Sequence, residues 1–220
     1  MSCCSSKTQC CQCCCEAPVQ AVCNSAVVPL VGNKAPDFKL QAYHQHNFKE
    51  ISLADFKGKW VIIVAYPLDF TFVCPTELLA YNDMLAEFEK NNCAVLGIST
   101  DSHFCHMNWC MQPRSQGGLG EDFKLPMLAD VNHDWGRKYR CLVPNEGVLL
   151  RTLVMIDDEG IVRHETTNDL SVGRSPNESL RLLKAFQHSK KHGTVCPANF
   201  DEGAPDIDPS KPQEYFSKQK

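Results

Sequence analysis

Trp60-Val-Ile-Ile-Val-Ala-Tyr66 is a continuous apolar run, and Ala94-Val-Leu-Gly-Ile-Ser99 is a second. Unbroken runs of this length predict strands buried on both faces. Between them Leu78, Tyr81, Leu85 and Phe88 recur three and four residues apart, which lines one face of a helix. Pro75 predicts the first turn of that helix, where a missing N–H leaves no bond unmade. Strand, helix and strand in this order imply a parallel, right-handed crossover. Further along, Leu153-Val-Met-Ile156 and Ile161-Val-Arg-His-Glu-Thr166 flank Asp157-Asp158-Glu159-Gly160, a hairpin signal. Ser175-Pro176-Asn177-Glu178 predicts a capping box with proline at the first helical position, opening a helix that carries Leu180, Leu183 and Phe186. The sum is an α/β fold, a sheet covered by helices, without internal repeats.

This domain is expected over residues 28–190. Residues 1–27 have no hydrophobic period and are full of Ser, Gln, Ala and Cys, which predicts a disordered or metal-ordered tail. Residues 191–220 read as a C-terminal arm. Pro, Asp and Gly over 201–213 predict an extended segment, with a short helix around Tyr215-Phe216. The 220 residues suffice for one domain with a proper core, and 43 % apolar with 22 % charged residues is ordinary for a soluble protein. A net charge of −4 exerts no bulk pull on nucleic acid or anionic lipid, so neither is an expected partner. The apolar runs fall far short of the roughly 20 residues that span a bilayer. No basic segment leads into an apolar core at the N-terminus, and Met1-Ser2-Cys3 is not a myristoylation signal. Fourteen cysteines would suit a small secreted disulfide scaffold, but eight of them (Cys3, Cys4, Cys10, Cys11, Cys13, Cys14, Cys15, Cys23) lie before residue 24. Adjacent cysteines cannot bridge each other without strain. The reading is therefore a reducing, cytoplasmic compartment.

Cys74 follows a buried strand and stands immediately before Pro75, at the start of the helix. A thiolate there faces unpaired backbone N–H groups and the positive end of the helix dipole. Both favour the anion, which is the nucleophilic form. Thr71 is near enough for its hydroxyl to serve a bound oxygen atom, and Pro67 can shape the turn and keep water away. The competing reading is a buried cysteine at a helix cap, and position alone does not choose between them.

The wider pattern does choose. Pro67-Leu-Asp-Phe-Thr71-Phe-Val-Cys74-Pro75-Thr76-Glu77 resembles the peroxiredoxin active-site signature, Pro-x-x-x-Thr-x-x-Cys. The resemblance continues through Asp101-Ser-His-Phe, Gly117-Gly-Leu-Gly120, Asn168-Asp-Leu-Ser-Val-Gly-Arg174-Ser and Val195-Cys196-Pro-Ala-Asn, over about residues 30–220. It implies a thioredoxin-like fold, a central mixed sheet flanked by helices with an extended C-terminal arm. It also implies a thiol-specific peroxidase acting on hydrogen peroxide and organic hydroperoxides. Cys74 would be the attacking thiol, Thr71 and Arg151 would bind and polarise the peroxide, and Glu77 and Arg174 would steady Arg151. Cys196 would resolve the Cys74 sulfenic acid as an intersubunit disulfide, which implies a homodimer, with decamers common in the family. A thioredoxin-type protein would reduce that disulfide; no metal, haem or flavin is needed. Gly117, Gly118, Leu119 and Gly120 with Tyr215 and Phe216 resemble the paired motifs of members sensitive to overoxidation. The alternative is a plain glycine loop and an anchoring aromatic pair. A redox-switched chaperone role, when hyperoxidised, is the second function the resemblance allows.

Some residues depart from the pattern. Cys105 and Cys110 stand where the family usually carries Thr and an aliphatic residue. With His103 and His106 they resemble a metal cluster, yet the histidines read as ordinary helix members. Cys93 and Cys141 read as small buried residues, Trp109 as a wall of the site, and His44 and His46 as solvent-facing without partners. Thr152 stands where Gly is common, which questions the local packing. The tail has no family counterpart. Its options are soft-metal binding, which would give a metal-storage or metal-sensing protein, redox sensing, acylation, or no fixed task. A thioredoxin-like disulfide reductase is disfavoured, since Cys74-Pro-Thr-Glu77 lacks a second cysteine.

Overall fold

Every residue of β3 (Trp60–Ala65) is buried, and this strand lies inside a seven-stranded sheet. The computed structural model describes residues 28–218. The cysteine-rich tail, residues 1–27, lies outside the described residues, as do 219–220. The sheet is built from β1 (Lys39–His44), β2 (Asn47–Ser52), β3, β4 (Cys93–Ser99), β5 (Met127–Ala129), β8 (Arg151–Ile156) and β9 (Val162–Asn168), in the order β2-β1-β5-β4-β3-β8-β9. A separate pair joins β6 (Leu142–Val143) to β7 (Val148–Leu149). β3 and β4 are parallel, in register from Trp60↔Cys93 to Ala65↔Ile98, as the strand–helix–strand reading requires. β8 runs antiparallel to both β3 and β9, so the sheet is mixed.

Burial on both faces follows from the period of two along a strand. Ile62 and Val64 join a core with Leu78, Tyr81, Phe88, Trp109, Leu153 and Leu183. Val61, Ile63 and Ala65 point the other way, to Trp135, Tyr139, Val154 and Ile156. The first core lies under α1 (Cys74–Asp83), α2 (Leu85–Lys90), α3 (His103–Met111) and α5 (Pro176–His192). The second is covered by α4 (Asp134–Lys138). Among the described residues no helix is long and apolar enough to cross a membrane.

Four local expectations need amendment. The helix expected across Leu78–Phe88 is interrupted at Met84, whose φ of −101° and ψ of 3° separate α1 from α2. No proline or glycine marks the break. In an unbroken helix Tyr81 and Phe88 would sit about 10 Å apart along the axis; the break lets their rings stack at 6.2 Å. The capping box at Ser175 is half formed. Its hydroxyl accepts the Glu178 N–H, but the Glu178 carboxylate turns to the Arg181 guanidinium at 2.7 Å, an ionic partner that the backbone N–H cannot match. His44 is not without a partner, since its Nδ1 is 2.8 Å from Lys49 Nζ; burial, then that lysine, holds its pKa down. Thr152 fits its strand, fully buried with its hydroxyl 2.9 Å from that of Thr167.

The hairpin forms as read. Asp157 Oδ1 accepts the N–H groups of Glu159 and Ile161, and Gly160 takes the left-handed φ of +81° that the turn requires. After α5 ends on Gly193, the arm is held against that helix. Arg181 donates to the Phe200 carbonyl (2.6 Å), Lys184 pairs with Glu202 (2.8 Å) and His188 with Asp206 (2.7 Å). The arm ends in α6 (Pro212–Phe216).

Candidate active site

Cys74 is the first residue of α1 and is fully buried, with Pro75 buried beside it. No side chain caps this helix, so its first-turn N–H groups are free to face an anion. The turn from β3 to α1 runs through the buried Pro67 and the half-buried Thr71, whose hydroxyl donates to the Leu68 carbonyl at 3.0 Å.

Two cations converge on this thiol's surroundings. Arg151 opens β8, and its Nη1 lies 3.3 Å from Cys74 Sγ and 2.7 Å from Glu77 Oε2. Its Nε donates to the Leu170 carbonyl at 2.8 Å. Arg174 reaches Glu77 Oε1 through its Nε (2.8 Å) and its backbone N–H (2.7 Å), and Oε2 through Nη2 (3.2 Å). The side chains of Arg151 and Glu77 are 4 % and 1 % exposed, and that of Arg174 is 4 % exposed. One carboxylate thus serves two guanidinium groups in a nearly dry site. The sulfur of Cys74 is the atom that stands beside Arg151. Gly173 packs closely here: a Cβ would stand 3.2 Å from Glu77 Cγ and 3.4 Å from Val73 Cγ1 and crowd both.

Cys74, Glu77, Arg151 and Arg174 are therefore assembled, with Thr71 and Pro67 in the adjoining turn. Cys196 stands apart, on the arm, its thiol 3.4 Å from the Ala185 carbonyl of α5. Burial, then the charge of Asp206, pushes this thiol up. Cys93, Cys110 and Cys141 are buried thiols pushed up to about 12 by desolvation, which fits small core residues. Gly117–Gly120 wraps the end of α3. Trp109 donates to the Gly117 carbonyl at 2.9 Å, Leu119 is buried, and a Cβ on Gly118 would strike the Gln112 carbonyl at 2.0 Å. Trp109 itself packs at 6.0 Å from both Tyr66 and Phe70, as a wall. Tyr215 is half-buried and Phe216 is 54 % exposed; among the described residues no hydrogen bond joins α6 to the glycine loop.

The grouping of His103, Cys105, His106 and Cys110 does not form. His103 stacks by Phe104 and Phe48, and both ring nitrogens of His106 are engaged within the core. Asp69, Asp101 and Cys105 come within 4.8 Å of one another instead. Both carboxylates already accept hydrogen bonds, Asp69 from Tyr66 and Asp101 from Ser99 and the Asp69 N–H. Sequence reasoning did not single out Leu170, which acts through its carbonyl and so leaves no signal. Gly173 carries a weak signal, a glycine beside the arginine of a motif.

Residues 31–165 match the AhpC/TSA family, and residues 185–218 match the C-terminal domain of 1-Cys peroxiredoxin. Peroxiredoxin-1 of Gallus gallus is 50 % identical over 193 residues, covering 86 % of this chain and 96 % of that protein. Peroxiredoxin tpx1 of Schizosaccharomyces pombe is 49 % identical over 188 residues, covering 86 % and 97 %. The crystal structure of reduced Plasmodium vivax 2-Cys peroxiredoxin superposes with a TM-score of 0.84 at 40 % identity, covering 86 % of this chain and 100 % of that one. The thioredoxin-like fold is therefore shared. The chain belongs to the peroxiredoxin family, as a typical two-cysteine peroxiredoxin that reduces peroxides with a thiol.

Proposed function

We propose that Cys74 is the peroxide-attacking thiol of this enzyme and Cys196 of the partner subunit the resolving one. The observation that carries the first assignment is the Arg151 Nη1 held 3.3 Å from the buried Cys74 Sγ by a carboxylate that is itself gripped by Arg174. In the first step the Cys74 thiolate attacks the terminal oxygen of ROOH. A sulfur–oxygen bond forms, the O–O bond breaks, and RO⁻ leaves and takes up a proton, giving Cys–SOH and ROH. Arg151 is placed to stabilise the charge growing on the peroxide oxygens. Thr71 gives its hydrogen to Leu68, so its oxygen lone pairs remain open to accept the peroxide O–H. Pro67 walls the turn, and Glu77 with Arg174 fixes the Arg151 fork.

In the second step Cys196 of the partner subunit attacks the sulfenic sulfur, a disulfide forms and water leaves. A dithiol protein of the thioredoxin type then reduces it. The working unit is a homodimer, built into decamers, in the cytoplasm. The glycine loop Gly117–Gly120 and the Tyr215–Phe216 helix would govern how long the sulfenic acid survives, and so how readily a second peroxide overoxidises it.

The test is intact mass under non-reducing conditions after one equivalent of hydrogen peroxide. Wild type should form a covalent dimer that Cys74→Ser and Cys196→Ser each abolish. A covalent dimer that persists in Cys196→Ser, or a Cys74→Ser protein that consumes peroxide at the wild-type rate, would show that the roles belong to other cysteines.

A further inference from the structure

The turn that leads to Cys74 holds a strained residue. Phe70 has a φ of +55°, a left-handed backbone that a bulky aromatic side chain adopts only when its surroundings enforce it. Its neighbours are Asp69 and Thr71, and the Thr71 hydroxyl closes the turn onto Leu68. Asp69 is the residue that the surroundings grip. Its Oδ1 accepts the Tyr66 hydroxyl at 2.7 Å, its Oδ2 lies 2.8 Å from His106 Nδ1, and its N–H donates to Asp101 Oδ2 at 2.9 Å. The side chains of Asp69 and His106 are both 0 % exposed. His106, on α3, is fixed from its far side by the Leu128 carbonyl of β5, 3.1 Å from Nε2. A carbonyl only accepts, so the Leu128 contact is made by a hydrogen on Nε2. Asp69 is thus the point at which Tyr66, Asp101 and His106 all grip the turn, while the Phe70 ring itself packs on Trp109.

We propose that Asp69 and His106 form the positioning pair of this active site. They hold the Leu68–Thr71 turn in its strained form and so place the Thr71 hydroxyl for the peroxide. The proposal rests on the assignment of Thr71 to peroxide binding. Arg151 is oriented independently, by Glu77 and Leu170, so the pair governs one wall of the site and leaves the thiolate's cationic neighbour in place. Without the pair, Phe70 relaxes toward negative φ and carries Thr71 out of position.

Two second-order rates on the reduced full-length protein separate positioning from general integrity. Oxidation of Cys74 by hydrogen peroxide needs the turn; alkylation of Cys74 by iodoacetamide, read by mass spectrometry, needs only an accessible thiolate. His106→Gln should lower the peroxide rate by about 10²-fold, the usual consequence of an ångström of misplacement, and leave alkylation nearly unchanged. His106→Asn keeps a donor toward Asp69 and should retain more peroxide reactivity than His106→Gln, which keeps one toward Leu128. Tyr66→Phe removes the hydroxyl that bonds Asp69 at 2.7 Å and lies 3.5 Å from His106 Nδ1, and keeps the ring; it should show the same selective loss in smaller measure, and it decides the matter if the histidine variants do not fold. An unchanged peroxide rate in whichever of these variants is folded overturns the proposal. So does a parallel fall of both rates, or equality of the Asn and Gln variants. Thr71→Val tells the two levels apart. If it keeps full peroxide reactivity, the assignment of Thr71 fails and the proposal with it. If it loses reactivity while His106→Gln does not, the positioning role alone fails.

Discussion

Glu77 is the residue on which the charges of the site turn. It is the only acidic partner of Arg151 and Arg174 among the described residues, and both its oxygens are taken. Removing one partner of a buried ion pair typically costs about 3–5 kcal/mol, because the charge left behind has neither water nor partner. Glu77→Gln keeps the volume and withdraws the charge. We expect a markedly lower melting temperature and a peroxide rate reduced by about 10²-fold as Arg151 loses its orientation. A variant that melts as wild type and reacts at the wild-type rate would show that Leu170 alone orients Arg151. A second expectation concerns Cys196, whose thiol is pushed up by burial and by Asp206. In the proposed second step the attacking species is the Cys196 thiolate, and a raised thiol is mostly protonated at neutral pH. Disulfide formation should therefore accelerate as pH rises from about 7 to about 9, past the ordinary thiol value. Following the loss of sulfenic acid by stopped flow checks this; a flat profile would mean that the docked environment of Cys196 does not persist into the reaction.

Helices and loops carry the next level of control, because α5 presents the arm that holds Cys196. Arg181, Lys184 and His188 lie along one side of α5 and bind Phe200, Glu202 and Asp206 in turn. The double variant Lys184→Ala, His188→Ala should loosen the arm and raise the alkylation rate of Cys196 several-fold, with Cys74 unaffected. Equal rates would show that Arg181 and the Val195↔Ile207 bridge suffice. At this level the sequence was informative where chemistry is local. The Asp157–Gly160 turn, the Ser175 hydroxyl cap and the proline in the first turn of α1 each follow from the local chemistry of one or two residues. The break at Met84 was not legible, since neither proline nor glycine marks it. The Asp69–His106 pair was likewise hidden, because 37 residues separate partners that only the fold brings together. Arg151 and Arg174 were visible through their motifs alone; a lone arginine in a β-rich segment reads as surface charge.

The assembled sheet was legible from its central strands, because apolar runs buried on both faces leave few other arrangements. Its seven-strand order was not, because β1, β2 and β5 join through contacts that no local pattern records. The same double-sided core has a consequence for stability against alkali. Cys93 and Cys110 lie in one core and Cys141 in the other, and burial pushes each thiol up to about 12. In the unfolded chain each would ionise near the ordinary value of about 8.5. The folded state thus binds more protons between those values, so stability is fully present below about pH 8.5 and falls as pH rises toward 12. Denaturant midpoints measured from pH 7 to pH 11 should decline through this window. Replacing Cys93, Cys110 and Cys141 together by Ala or Val removes groups that ionise preferentially on unfolding, and should flatten the decline even where it lowers the stability at pH 7. An identical slope in the triple variant would assign the alkaline loss to other groups, with the buried tyrosines Tyr66, Tyr81 and Tyr139, all raised by burial, next in line.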